Sequence, residues 1–207
     1  MINEFDLKAD SWDNNPMHFD RSKKIAENIS KIIPLNTGMT ALEFGAGTGI
    51  TSFLLKDTVK EIIMMDNSDG MVRAMEDKIR STGVTNLKAL NFDLEKNNWT
   101  GNRFDLIFSQ MVLHHVSDTE SIIVKLSKMI KQGGYIALAD LYTENGSFHG
   151  KAFTGHKGFD PSDIGRILTR NGFENPEHRT VYSIKKTTED NTIKDFDVFL
   201  LTARLKK

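Results

Sequence analysis

Ala41-Leu42-Glu43-Phe44-Gly45-Ala46-Gly47-Thr48-Gly49-Ile50 is the stretch on which the fold turns. Its apolar beginning, residues 40–44, reads as a strand; three glycines at alternate positions follow, and a helix through Leu55 comes next. In open α/β sheets the ligand sits at the carboxyl ends of the strands, and glycines let it approach the backbone because they carry no Cβ. A tight turn without any ligand is the plainer alternative. The spacing is G-x-G-x-G. A dinucleotide fingerprint, G-x-G-x-x-G, would put its third glycine at position 50, where the chain has Ile50.

Outward from that loop, short apolar runs alternate with helical patterns. Before it lies a polar lead-in, then a helix over residues 19–33 with Ile25, Ala26, Ile29, Ile32 and Ile33 at helical spacing, stopped by Pro34. After it come strands at 61–66, 87–91, 104–109 and 135–141. Helices are expected at 68–80 and 119–130, the second ended by Gly133-Gly134. The alternation predicts a parallel sheet between two layers of helices. The tail breaks it: a helix at 161–171, capped by Gly172, leads into two consecutive strands at 179–186 and 192–205. The fold expected is therefore α/β, a three-layer sandwich whose mostly parallel sheet ends in an antiparallel C-terminal hairpin.

The 207 residues suit one domain, with 39% hydrophobic and 27% charged residues as in ordinary globular chains. Lys and Arg total 27 against 28 Asp and Glu, a net charge of -1 that gives no electrostatic footprint for nucleic acid. With Cys 0, disulfides, thiolate metal sites and a cysteine nucleophile are excluded. The first eight residues are charged and lack an apolar h-region, so no signal peptide is expected, and no apolar run approaches the ~20 residues of a membrane helix. A cytoplasmic protein is the expectation.

Asp66, at the end of the second strand, stands where a carboxylate accepts hydrogen bonds from ribose hydroxyls, although Asp alone also suits a helix cap. With this pairing the chain resembles the class I S-adenosylmethionine-dependent methyltransferases. Glu43-Phe44-Gly45-Ala46-Gly47-Thr48-Gly49 is similar to their first motif. Asp66 with Asn67, Ser68 and Met71 resembles the acidic second-strand motif, and Asn91-Phe92-Asp93-Leu94 the third-strand motif. Phe104-Asp105-Leu106-Ile107-Phe108-Ser109 resembles the fourth-strand segment, and 126–138 the lead into strand five. The resemblance covers residues 36–141 and implies a seven-stranded sheet with S-adenosyl-L-methionine as cofactor. It places Glu43 and the backbone of Gly45, Ala46 and Gly47 at the methionine part, Asp66 at the ribose and Asp93 at the adenine with Leu94 packing beside it, and counts Asn67, Met71 and Ser109 among the cofactor-binding residues.

The acceptor is less legible. Family members that methylate adenine or glutamine amino nitrogens carry Asn/Asp-Pro-Pro-aromatic after strand four; here the place reads Ser109-Gln110-Met111-Val112. Cytosine C5 chemistry needs an absent cysteine. A small-molecule acceptor with a nucleophilic O or N is expected, with tRNA or a protein side chain as the alternative; an NAD-dependent oxidoreductase and a non-catalytic S-adenosylmethionine sensor are less favoured. His114 and His115 follow strand four, and since neighbours on a helix point ~100° apart, one at most is expected to face the site. The connection 142–159 is long for an α/β unit and holds Gly146, Gly150, Gly155 and Gly158 beside Phe148, His149, Phe153 and His156. Glycines would let it move over the pocket, together with Trp12 and Asp13 of the lead-in. Asp140, Tyr142, His149, His156 and His114 are the candidate proton acceptors. The histidine spacing fits no standard metal site, so no metal is expected. The division anticipated is one domain, 1–207: a lid segment 1–34, cofactor core 36–141, substrate loop 142–159, then helix and hairpin 160–207. Monomer and homodimer both stay open.

Overall fold

Ile25, Ala26 and Ile29, at helical spacing, form the buried apolar face of the first long helix. A computed structural model describes residues 4–207, so Met1-Ile2-Asn3 of the anticipated lid segment lie outside the described residues. The lead-in folds as helix α1 (Glu4–Lys8), a 3-10 turn (Ala9–Asn14) and helix α2 (Pro16–Ile32). Helix α2 begins earlier than the apolar spacing indicates. Pro16 occupies its first turn, and the Asn15 side chain accepts from the Met17 N–H at 3.1 Å.

Strands β1 (Thr40–Phe44), β2 (Glu61–Asp66), β3 (Leu87–Asn91), β4 (Phe104–Gln110), β5 (Ile130–Leu141), β6 (Phe173–Thr187) and β7 (Ile193–Leu205) form one 7-stranded sheet in the order β3-β2-β1-β4-β5-β7-β6. Pairings are parallel from β3 through β5, then antiparallel between β5 and β7 and between β7 and β6. This is the α/β architecture expected. Helices α3 (Ile50–Leu55) and α4 (Asp69–Thr82) lie with α2 on one face; α5 (Thr119–Lys128) and α6 (Pro161–Arg170) cover the other.

The two faces follow from the strand period of two. Along β5, Ala137, Ala139 and Leu141 join the core under α2, whereas Ile136 and Leu138 join the core under α5 and α6. Each such buried Leu or Ile contributes roughly 1.5–3 kcal/mol. Helix α6 shows the same logic locally. The Asp160 carboxylate accepts from the Ser162 N–H at 2.8 Å, Pro161 opens the first turn, and Ile164 and Leu168 form the buried stripe. Leu168→Ala would cost roughly 2–5 kcal/mol.

One element differs in kind from expectation. Gly133-Gly134 do not end helix α5; they lie inside β5, which starts at Ile130. Phe104 pairs with Ile130, the register then shifts, and pairing resumes at Leu106 with Tyr135. Gly134 is pressed against this irregularity, since a Cβ there would come within 2.9 Å of the Asp105 carbonyl oxygen. Strand β1 sits between β2 and β4, where the chain order reverses, so the crevice beyond its C-terminal end is where a ligand is expected.

Candidate active site

The glycine loop leaves β1 under tight control from its neighbours. The Ala46 N–H donates to the Met65 carbonyl at 2.9 Å, and the Gly47 N–H donates to Asp66 Oδ2 at 2.8 Å. Asp66 Oδ1 accepts from the Ser68 N–H at 2.9 Å. Burial pushes the Asp66 carboxyl above its ordinary value despite these donors. Gly47 has φ +58, and a Cβ built on it would meet nothing within 4 Å. That position faces open cavity, which is the condition a bound cofactor needs at a glycine loop.

Glu43 does not line this cavity. It is fully buried behind the loop, where its Oε2 accepts from the Ser52 N–H at 3.1 Å and the Ser52 hydroxyl at 2.5 Å. Its second oxygen has no partner, and burial raises its pKa to about 7. The carboxyl thus fastens the start of α3 to β1 rather than reaching the space where the methionine part was expected. Ser109 is likewise buried within β4 and off the cavity wall.

The other expected cofactor residues share one cavity of about 850 Å³ at the C-terminal ends of β1, β2 and β3. Gly45, Ala46, Gly47, Asp66, Asn67, Met71, Asp93 and Leu94 all line it. The volume is in the range of sites for cofactor-sized ligands. Burial works to raise the Asp93 carboxyl, but the Lys96 ammonium at 2.7 Å and the backbone N–H groups of Lys96 and Glu95 hold it below its ordinary value.

Beyond β4, the same cavity is closed by imidazoles. His114 and His115 occupy a 3-10 turn (Leu113–His115), and both line the cavity, contrary to the expectation that one at most would. His114 Nδ1 lies 2.6 Å from Asp140 Oδ1, and the pair is buried with side-chain exposures of 1% and 0%. His149 joins them, its ring centroid 5.0 Å from that of His114 and 5.2 Å from that of His115. Its Nε2 is buried without a partner. Burial, then the neighbouring imidazoles, lower the pKa of His149 to about 3; burial and His114 lower that of His115 to about 4. One nitrogen from each of the three rings lies within 4.8 Å of the other two, a grouping of metal-capable side chains that sequence spacing does not reveal.

A family model described as methyltransferase domain matches residues 42–138. Over that span the chain is similar to this family, and its fold is the Rossmann-like one of the class I S-adenosylmethionine-dependent methyltransferases. It is 29% identical over 157 residues to an uncharacterised methyltransferase of Schizosaccharomyces pombe, an alignment covering 68% of this chain and 55% of that protein. To the demethylmenaquinone methyltransferase of Bacillus pumilus it is 25% identical over 126 residues, 59% of this chain and 54% of the relative. The chain spans about half the length of these curated relatives. Among solved structures, YcgJ of Bacillus subtilis superposes with a TM-score of 0.73 at 16% identity over 88% of this chain and 98% of its own. A Haloferax volcanii methyltransferase, solved in complex with the Trm112 methyltransferase activator, gives a TM-score of 0.77 at 19% identity over 100% of both chains. At such identities the likeness is one of fold.

The lead-in lies across the cavity as a strap. Asp6 Oδ1 accepts from the Ser68 hydroxyl at 2.6 Å and the Gly70 N–H at 2.9 Å, docking α1 on the start of α4. Asp13 accepts from the Thr48 hydroxyl at 2.6 Å and pairs with Lys78 at 2.6 Å. Trp12 lines the cavity and stacks on His18 with ring centroids 4.2 Å apart. Phe5 meets the His115 ring edge-on at 5.1 Å. No helix of the described residues is long and apolar enough to cross a membrane.

The connection 142–159 is anchored at both ends rather than loose. The Thr143 N–H donates to the Phe159 carbonyl at 3.0 Å and the Glu144 N–H to the Lys157 carbonyl at 2.9 Å. Its glycines have packing reasons: a Cβ on Gly155 would lie 2.3 Å from the His114 carbonyl oxygen. Phe148 and His149 reach the cavity; Tyr142 does not. The Tyr142 ring packs on Phe199, and its hydroxyl accepts from the Thr180 hydroxyl at 3.3 Å. His156 faces Phe159 instead. Sequence reasoning missed Gln110 and Arg21, both on the cavity wall. For Arg21 a signal existed: with Ile25 and Ile29 it forms an i, i+4, i+8 row, a charge on the buried stripe of α2.

Proposed function

We propose that this chain transfers a methyl group from S-adenosylmethionine to an oxygen or nitrogen of a small-molecule acceptor. The observation that carries the reading is a single cavity joining a glycine-loop wall with Asp66 and Asp93 to an imidazole cluster backed by Asp140. S-adenosylmethionine supplies a methyl already activated by positive sulfur, displaced in line by the acceptor. What remains for the protein is orientation, exclusion of water and removal of a proton.

The backbone of Gly45, Ala46 and Gly47 would hold the amino-acid part. Asp66, with Asn67 and Met71 beside it, would take the ribose hydroxyls, and Asp93 and Leu94 the adenine edge. His114 is the favoured base, because Asp140 holds its Nδ1 and leaves Nε2 to take the acceptor's proton, while the carboxylate stabilises the imidazolium formed. A group with a pKa of about 3 takes protons poorly, so His149 serves to hydrogen-bond and orient the acceptor. The net charge of -1 supports a small molecule over nucleic acid. A cytoplasmic setting, one methyltransferase domain over the whole chain, and a monomer or homodimer complete the reading.

The test is release of S-adenosylhomocysteine in the presence of panels of phenols, amines and carboxylic acids, followed by the same assay on variants. For the acceptor that is methylated, His114→Ala should lose on the order of 10²–10⁴ in kcat with S-adenosylhomocysteine affinity retained. His149→Ala should act mainly on KM. Wild-type kinetics in both variants would move the chemistry away from the imidazoles. Methylation of tRNA or protein alone would overturn the small-molecule assignment.

A further inference from the structure

Three imidazoles from two separate segments meet at the acceptor end of the cavity. His114 and His115 come from the 3-10 turn after β4, and His149 from the connection 142–159. Their ring centroids stand 4.2, 5.0 and 5.2 Å apart, and one nitrogen of each ring lies within 4.8 Å of the other two. Among the described residues no other group of His, Asp and Glu side chains converges in this way. Imidazoles packed so closely cannot all be protonated without repelling one another, whereas a single dication satisfies three lone pairs at once.

Two of the free lone pairs can be named. The Asp140 carboxylate accepts from the Leu141 N–H at 2.7 Å and the His114 N–H at 3.3 Å, and lies 2.6 Å from His114 Nδ1. A carboxylate fixed in this way keeps the ring proton on Nδ1 and leaves the His114 lone pair on Nε2. His149 Nε2 is buried without a partner, a state that costs free energy until something binds there. Phe153 stacks on His149 at 4.0 Å, Phe148 meets the same ring edge-on at 4.8 Å, and Phe5 does so to His115. The ammonium groups on this part of the wall are already engaged. Lys8 pairs with Glu4 at 3.0 Å, and Lys186 donates to the Phe148 carbonyl at 2.5 Å.

The donor set selects the ion. Three nitrogens without a thiolate suit zinc, cobalt, nickel or copper; magnesium and calcium take oxygen. Nitrogens on one tetrahedral ion stand about 3.4 Å apart, so binding draws these rings together by at most about 1.4 Å, within the reach of side-chain rotation. A fourth position is left facing the cavity.

We propose that His114, His115 and His149 form a three-imidazole site for a divalent transition-metal ion, with Asp140 fixing the His114 ring behind it, and that the bound ion shuts methyl transfer off. The site itself stands on the geometry. Its inhibitory effect rests on the proposed function, because the ion takes the His114 lone pair that would receive the acceptor's proton.

The test uses the full chain without a histidine tag, stripped with EDTA and titrated with zinc, cobalt and magnesium. One zinc per chain should bind, and magnesium should give no heat beyond dilution. Cobalt should develop the visible absorption of a tetrahedral site. His149→Ala and His115→Ala should abolish that absorption, and His149→Gln serves if the alanine variants do not fold. His178→Ala, outside the cluster, should leave it unchanged. Asp140→Asn should weaken zinc on the order of tenfold to a hundredfold, because it loosens a ligand without removing one. A merely structural Asp140 would lower Tm and leave zinc affinity alone. No saturable zinc or cobalt binding to the wild type would overturn the site. So would binding that survives in both His149→Ala and His115→Ala, or that His178→Ala loses equally. With a methylated acceptor in hand, one equivalent of zinc should stop turnover and EDTA restore it; full turnover with zinc bound, or turnover that requires zinc, would overturn the inhibition. If no acceptor is methylated, the proposed function fails on its own, and the zinc and cobalt titrations still decide the site.

Discussion

Glu43→Gln removes a carboxyl that the fold buries completely, and its effect on stability has a worked size and sign. Burial raises this carboxyl from 4.5 to about 7 in the native state. At about 1.4 kcal/mol per pKa unit, that rise corresponds to about 3 kcal/mol. Below pH ~4.5 the group is protonated in both states and the contribution is fully present. Between there and pH 7 the native state binds more protons than the unfolded chain, so stability falls as pH rises; above about 7 the loss is complete. Glutamine keeps the shape and an acceptor for Ser52 but does not titrate. His115 and His149, lowered to about 4 and about 3, give the opposite trend, with stability falling as pH drops below their ordinary 6.5. They titrate in both proteins and cancel in the difference. Urea unfolding of wild type and Glu43→Gln at several pH values from 5 to 8 should show the variant gaining on the wild type by about 3 kcal/mol across that window. A difference that stays flat, or shrinks with pH, would refute the buried-carboxyl argument.

Gly47→Val should fold, destabilised by about 1–2 kcal/mol for a branched residue at positive φ, yet lose S-adenosylhomocysteine binding because its side chain enters the open cavity; retained binding in calorimetry would contradict this. Asp66→Ala should weaken S-adenosylhomocysteine by about 1.5–3 kcal/mol, and the more exposed Asp93→Ala by less; equal, negligible losses would mean the cofactor lies elsewhere. Dialysis against EDTA should leave turnover intact if the three imidazoles serve the acceptor's proton and position; activity lost to EDTA and restored by zinc would make them ligands.

The strands of the cofactor half were legible because each is short, apolar and bounded by turn residues. The glycine loop and Asp66 were legible because their chemistry is local. The start of β5 was not: a glycine pair after a helical pattern reads as a stop, and only the pairing of Ile130 with Phe104 shows that these glycines sit in a strand irregularity. The acceptor end was harder still. His114, Asp140 and His149 are brought together by three separate segments, and Tyr142 was assigned to the site from its place in a long connection although its ring packs on Phe199 outside the cavity lining. Glu43 illustrates a further limit, since a motif position says which residue matters without saying that its carboxyl faces Ser52 instead of the cavity.

Titration calorimetry of the full chain with S-adenosylhomocysteine, S-adenosylmethionine and NAD tests the central claim most directly. Both sulfur ligands should bind with one-to-one stoichiometry, and NAD should give no heat beyond dilution. Saturable NAD binding with no response to either sulfur ligand would contradict the account.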